Sequence, residues 1–392
     1  MTIWIKNIFL FFSKLSSKKG ISVKRSFIRE ILEVIDTDTI SFAGGLPNEN
    51  LFPMEAIAVS AQKALSDPKS LQYSFSAGIP ALRDKLAAYY TAMGLETSRD
   101  NILITTGAQQ ALDLISRVYF KEGTVVEAPA YLGALNAFNA NGCPLYPYEL
   151  RKTEEFEALF EKTKRAYIMC DFQNPTGYCY SIDDRKRIAQ AAIRENGIIV
   201  EDGAYMELYF EERLPILSLF APNHSLHVGS FSKILAPGLR LGWIRGDAAL
   251  LQPILALKER SDLHTSTLSQ MIADIFWESG KFEYHLPNIR AVYDAKCNYL
   301  AHKLKTLLPE FVFEKPKGGM FIYGTFKGEI DAHALAMASL KVGAVFVPGG
   351  EFYTATPQCS EARFNFTHST FDEMNRGISI IAQTYKNSLT KR

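Results

Sequence analysis

The sequence predicts an α/β protein, with a mostly parallel sheet covered by helices on both faces and a smaller α+β domain after it. Three observations carry this prediction. The 392 residues are enough for one large and one smaller domain, each with its own core. Up to about residue 250, short apolar runs alternate with helical ones. From about residue 290 that alternation gives way to a long amphipathic helix and several short strands.

In chain order, Ser26 opens a short helical stretch with Glu30 reaching back, and Thr39–Phe42 reads as a brief strand broken by Gly44-Gly45-Leu46-Pro47. Strand-like runs follow at Ile102–Thr105, Val125–Glu127, Ala166–Cys170, Gly197–Glu201, His227–Val228 and Leu241–Ile244. Helical patterns fill the gaps, as at Ala108–Phe120 and Asp183–Arg194. Beyond them come a helix over Ile289–Leu308 and strands at Phe311–Phe313, Gly319–Tyr323, Val345–Val347 and Ala362–Phe366, before a closing helix. There is no internal repeat and no low-complexity tract.

Lys plus Arg exceed Asp plus Glu by one, so no global field points to nucleic acid or an anionic membrane. The five cysteines form no close CxxC pair, which reads as reduced structural thiols in a cytoplasmic protein without a metal site. Residues 1–20 differ from the rest. Trp4–Phe12 is apolar except for Lys6 and Asn7, and Lys14, Lys18 and Lys19 follow. The stretch is too short to span a bilayer and lacks a small-residue cleavage site. It reads as a disordered or start-site extension, with membrane-surface contact or a partner helix as alternatives.

In open α/β sheets ligands sit beyond the carboxyl ends of the strands. The run Ile102–Thr105 leads into Thr106-Gly107-Ala108-Gln109, a glycine turn whose helix N-terminus offers amides to a phosphate. Ala166–Cys170 leads into Asn174-Pro175-Thr176-Gly177, as readily a bare turn as a site. Asp202, at the end of an apolar run, is costly to bury without a cation, and a helix cap is its bland alternative. Ser230, Ser232, Lys233 and Arg240 fall within eleven positions after a strand and form an anion cradle around a nucleophilic amine.

Together these segments resemble the pyridoxal-phosphate (PLP) aminotransferases of fold type I. The likeness is greatest to the subgroup of 2-aminoadipate and kynurenine aminotransferases and MocR-regulator effector domains. Its most specific stretches are Ser41–Pro47, Asn174–Gly177 and Ser230–Arg240, and it runs from about Ser26 to the end. It implies a large domain with a mostly parallel seven-stranded sheet between helices. The expected division is an extension at 1–20, a small domain from 21–45 and 290–392, and a PLP-binding large domain at 46–289.

The resemblance also implies roles. Lys233 would form the Schiff base with the cofactor and carry the proton, Asp202 would face the pyridine nitrogen, and Asn174 and Tyr205 would meet the phenolic oxygen. Gly107, Ala108, Gln109, Ser230, Ser232 and Arg240 would hold the phosphate, and Tyr131 would stack on the ring. Tyr73 would reach the phosphate in the neighbouring subunit of a homodimer. Arg363 would bind the substrate α-carboxylate beside Asn174 and Gly45, and Arg29 matches an arginine that reads distal carboxylates. Ala108 stands where serine is common, and Gly203-Ala204 replaces a more usual acidic or proline-containing pair.

The implied reaction moves an α-amino group from an amino acid to a 2-oxo acid, with 2-oxoglutarate the expected acceptor, by a PLP/PMP ping-pong cycle. A PLP-dependent lyase on the same fold is the alternative. A ligand-sensing domain of a MocR-type regulator is a third reading, which the near-neutral charge and the few residues before Ser26 disfavour.

Overall fold

The computed structural model describes residues 31, 38–328, 330–355, 357 and 359–389. The expectations for the 1–20 extension and for Arg29 lie outside them. After β1 (Ile40–Ser41), seven strands make the large sheet: β2 (Ile102–Thr105), β3 (Thr124–Ala128), β4 (Leu145–Glu149), β5 (Arg165–Ile168), β6 (Ile198–Asp202), β7 (Ser225–Ser230) and β8 (Gly242–Arg245). Their order is β2-β8-β7-β6-β5-β3-β4, and β8 alone runs antiparallel to its neighbours. This is the mostly parallel sheet the apolar runs predict. All five residues of β6 are buried, as suits a strand covered on both faces.

β4 is absent from the sequence reading. It is an edge strand paired only with β3, and Pro147 lies opposite Val126. A proline within a short run argues against a strand unless the strand is an edge, so sequence alone gives no reason to place one there.

Helices close both faces. Gly107–Tyr119 buries Ala111, Leu112, Leu114 and Ile115 along one side, each large side chain contributing about 1.5–3 kcal/mol. Ile182–Arg194 begins at Ser181, whose Oγ accepts from the Asp184 amide, with Asp183 and Asp184 in the positive first turn. The long helix runs Phe282–Leu307, seven residues earlier than Ile289, and contains Pro287. Proline disfavours a helix interior, which is why the pattern reads as starting after it. The extra turns are anchored by Phe282, whose ring packs edge-on against Phe276 and Trp277. The expected division at 289/290 thus falls inside one continuous helix.

The second sheet has the order β12-β13-β10-β9, from β9 (Phe311–Phe313), β10 (Phe321–Phe326), β12 (Val347–Pro348) and β13 (Glu361–Asn365). β11 (Ala344–Val345) pairs instead with β1, in parallel. The single strand expected at Val345–Val347 is therefore two, divided at Phe346, whose ring packs against Phe326 and Phe364. β10 also starts two residues later than the reading from Gly319. Gly319 has φ +76°, and a Cβ there would come within 2.7 Å of the Phe172 Cβ. That close approach seats the small sheet on the loop after β5. One apolar cluster then continues from Leu112 and Val126 through Phe172 to Phe321 and Phe364 without a break. Among the described residues no helix is long and apolar enough to cross a membrane.

Candidate active site

The carboxyl ends of β5, β6 and β7 and the start of the helix Gly107–Tyr119 open onto one cavity of about 810 Å³. Lys233, Asp202, Asn174, Tyr205, Ser230, Ser232, Arg240, Ala108, Gln109, Tyr131, Gly45 and Arg363 all line it. Residues separated by more than 300 positions in the sequence are thus gathered where the strand-end rule places a ligand.

Asp202 is the last residue of β6 and is buried. Its Oδ2 accepts from the Tyr167 hydroxyl at 2.8 Å and its Oδ1 from the Ala204 amide at 3.1 Å. The carboxylate therefore does cap the following turn, yet it also faces the cavity. Burial pushes its pKa up to about 6 against the pull of those two hydrogen bonds. It makes no ion pair with any described Lys, Arg or His, which leaves its charge to be met from the cavity. Gly203 has a local reason as well, since a Cβ there would fall 2.4 Å from the His227 ring.

Lys233 follows β7, and its Nζ donates to the Gly45 carbonyl at 2.8 Å. Burial, followed by the charges of Arg363 and Arg240, pulls the ammonium down to about 8. A free amine is therefore accessible near neutral pH, as a nucleophile or base requires.

Arg363 projects from β13 and is 2% exposed. Its Nη1 donates to Asn174 Oδ1 at 2.7 Å and its Nη2 to the Ala43 carbonyl at 2.6 Å. The guanidinium lies 4.0 Å from the Phe321 ring centre and 4.9 Å from that of Phe352. Burial lowers it to about 10, so it stays cationic at neutral pH. Its Nε is buried without a partner among the described residues. A buried cation held by neutral acceptors alone calls for an anion. Asn174 in turn donates from Nδ2 to the Tyr205 hydroxyl at 3.2 Å, so one amide joins Arg363 to Tyr205. Two residues beyond β13, Thr367 donates to the Leu46 carbonyl at 2.7 Å and ties down the segment that carries Gly45.

At the other end, Gly107 has φ +76°, and a Cβ there would lie 2.5 Å from Arg240 Nη2. Glycine is what lets the guanidinium lie across the helix N-terminus, whose first amides have no intrahelical acceptor. Ser230 Oγ accepts from the Ser232 amide at 3.1 Å, and the Gln109 side chain donates to the Gly133 carbonyl. Free amides, a dipole and an arginine converge as a phosphate requires.

Tyr73 is not brought into this cavity. It is 78% exposed, and its ring meets that of His264 edge-on at 5.8 Å. Several contributors escape the sequence reading: Tyr167, which binds Asp202, and Phe321 and Phe352, which flank Arg363. Tyr167 left one signal, a hydroxyl within an apolar strand, because a buried phenol needs a partner.

The arrangement fits pyridoxal phosphate on the features just given. Arg240 lies across the helix N-terminus at Gly107–Gln109, a cationic end suited to an anion. Asp202 is a buried carboxylate without an ion-pair partner among the described residues, and Lys233 is a depressed amine. Comparison with known proteins agrees. Residues 37–381 match the family model for aminotransferase class I and II. The chain is 35% identical to aromatic-amino-acid aminotransferase 1 of Thermococcus litoralis, over 97% of this chain and 96% of that one. It is 37% identical to 2-aminoadipate transaminase of Thermus thermophilus, over 84% and 86%. Among solved structures, kynurenine aminotransferase of Pyrococcus horikoshii in complex with PMP superposes with a TM-score of 0.89. That match has 35% identity and covers 96% of this chain and 98% of that one.

Proposed function

The chain belongs to the class I and II aminotransferases, and from that premise we propose that it moves the amino group of an α-amino acid to 2-oxoglutarate in a two-step ping-pong cycle. It is a fold-type-I aminotransferase whose cofactor is pyridoxal phosphate. The observation that carries the finer reading is the convergence of Lys233, Asp202 and Arg363 on one cavity, with Asn174 linking the arginine to Tyr205.

When bound, the cofactor supplies an electron-accepting ring and the carbon that receives the amino group. In this reading Lys233 holds it covalently, and its freed Nζ then takes the proton from the substrate Cα. The Asp202 carboxylate keeps the pyridine nitrogen protonated. Asn174 and Tyr205 donate to the phenolic oxygen, and Tyr131 covers the ring. The amides of Gly107, Ala108 and Gln109, with Ser230, Ser232 and Arg240, hold the phosphate. Arg363 binds the α-carboxylate as a fork, with Gly45 and Asn174 at its side, which orients the Cα proton toward Lys233.

The assembly we propose is a homodimer in which Tyr73 completes the neighbouring phosphate site. Supporting it, Leu71, Tyr73 and Phe75 are exposed within one short segment, an apolar surface that favours a partner. All five cysteines are unpaired, a usage suited to a cytoplasmic enzyme.

Glutamate alone should convert the visible absorption of the bound cofactor to that of its aminated form, and 2-oxoglutarate should reverse it. A panel of amino acids against 2-oxoglutarate then ranks aromatic, branched and 2-aminoadipate donors. Persistence of the original spectrum with every amino acid tested would count against transamination and favour the lyase reading. Arg363→Lys keeps the charge but loses the fork. It should raise KM for amino and oxo acid alike and lower kcat/KM by roughly 10–100-fold, the worth of a charged hydrogen bond. Steady-state kinetics with both substrates checks this, and an unchanged KM would remove Arg363 from the carboxylate site.

A further inference from the structure

Glu127 and Gln173 have no role in the reading above, yet both are fully buried beside it. Glu127 is the fourth residue of β3, and Gln173 immediately precedes Asn174. Glu127 Oε1 accepts from the Tyr180 hydroxyl at 2.8 Å and the Met169 amide at 3.3 Å, and Oε2 accepts from Gln173 Nε2 at 3.0 Å. The same Nε2 donates to the Pro129 carbonyl at 2.7 Å. On its other side, Gln173 Oε1 accepts from the Thr176 amide at 3.0 Å and the Thr176 hydroxyl at 2.6 Å.

We propose that Glu127 is a positioning residue: through Gln173 it fixes the loop carrying Asn174 against the loop carrying Tyr131. The inference rests on the reading of Asn174 and Tyr131 as cofactor-facing residues. The argument is one of polarity. The Pro129 carbonyl can only accept and the Thr176 amide can only donate, so the NH₂ of Gln173 faces Pro129 and Glu127 Oε2, and its carbonyl oxygen faces Thr176. With the amide reversed, its oxygen would meet the Glu127 and Pro129 oxygens, and its NH₂ would meet the Thr176 amide. Glu127 supplies the second acceptor that this orientation needs, in a chain that ends at the turn 173–177, where the Gly177 amide also donates to the Gln173 carbonyl. An apolar residue at 127 could fill the space but would leave one Gln173 N–H buried without its acceptor. Buried polar groups of this kind hold an active site when every member is satisfied, and here every Gln173 side-chain group is.

The test uses the holoenzyme of Glu127→Gln, Asn174→Ala and the double variant. The readouts are the pH midpoint of the bound cofactor's visible absorption and the separate values of kcat and KM. Asn174→Ala should move the midpoint, because it removes a donor to the phenolic oxygen. Glu127→Gln should move it in the same direction by less, and lower kcat/KM about ten-fold or more, the scale of a sub-ångström to ångström misplacement. The double variant should lie where Asn174→Ala lies. Should Glu127→Gln not be recovered folded, Thr176→Val removes the shorter of the two bonds to Gln173 Oε1, leaving the amide, and should shift the midpoint the same way. A wild-type midpoint and kcat/KM in either folded variant overturns the proposal, as does an additive shift in the double variant. An Asn174→Ala protein with an unmoved midpoint would instead strike the assignment of Asn174, and with it the premise.

Discussion

Replacing Lys233 with alanine should lower the rate of transamination by at least about 10⁴, the upper range for removal of a positioned general base. It should also abolish covalent retention of the cofactor after borohydride reduction, which traps the otherwise reversible imine before denaturation and dialysis. Both effects follow from the position of Nζ, held 2.8 Å from the Gly45 carbonyl in a cavity shared with Asp202 and Arg363. The depressed ammonium adds a pH signature. Uptake of pyridoxal phosphate by the cofactor-free wild type should quicken as pH rises through about 8, where the amine loses its proton, rather than near the ordinary lysine value. Rapid-mixing absorbance measures this directly. Covalent retention in the alanine variant would sink the assignment.

Asp202→Asn should lower kcat by roughly 10²–10⁴ while leaving the cofactor attached. The range follows from the 3–5 kcal/mol lost when one partner of a buried charge pair is removed. Asparagine keeps the shape: its oxygen can still accept from the Ala204 amide, while its NH₂ donates to the Tyr167 oxygen and so reverses that one bond. The same substitution should stabilise the cofactor-free protein. The pKa of Asp202 is raised from 3.8 to about 6 in the fold, so the folded state binds more protons than the unfolded state between these values. Stability is therefore lost as pH rises through that window, and the penalty is fully present above about 6. Thermal melts of cofactor-free protein at pH 8 should show the variant above wild type, with the gain shrinking toward pH 4. Unchanged kcat, or a lower melting temperature at pH 8, would show that Asp202 carries no uncompensated charge.

Much of the large sheet was legible because its strands are short apolar runs bounded by glycine, proline or polar turns. The residues at their ends were legible because a buried Asp202 and a cluster such as Ser230–Lys233 are hard to explain as packing. What escaped did so for local reasons. β4 hid behind Pro147, the first turns of the long helix behind Pro287, and the division at Phe346 behind a run that looks continuous. Glu127 and Gln173 were invisible as contributors, and Tyr167 left no more than a hydroxyl in an apolar strand, because their significance is relational. Each is an ordinary residue until the chain places its polar atoms against Asp202 or the Asn174 loop. Tyr73 is the converse case, expected at a phosphate yet exposed in the single chain, where only a partner subunit could give it one.

The bonds from Arg363 to Ala43 and from Thr367 to Leu46 join positions 320 and 321 residues apart. At about 5–20 residues per second, translation reaches Thr367 roughly 15–65 s after Leu46. The phosphate cradle and Lys233 come from the middle of the chain and can form on the nascent large sheet. The carboxylate fork cannot. On the ribosome, therefore, the residues that take up cofactor emerge before those that recognise an amino acid, and the segment around Gly45, which Lys233 can already meet, gains its last anchors only when Arg363 and Thr367 appear.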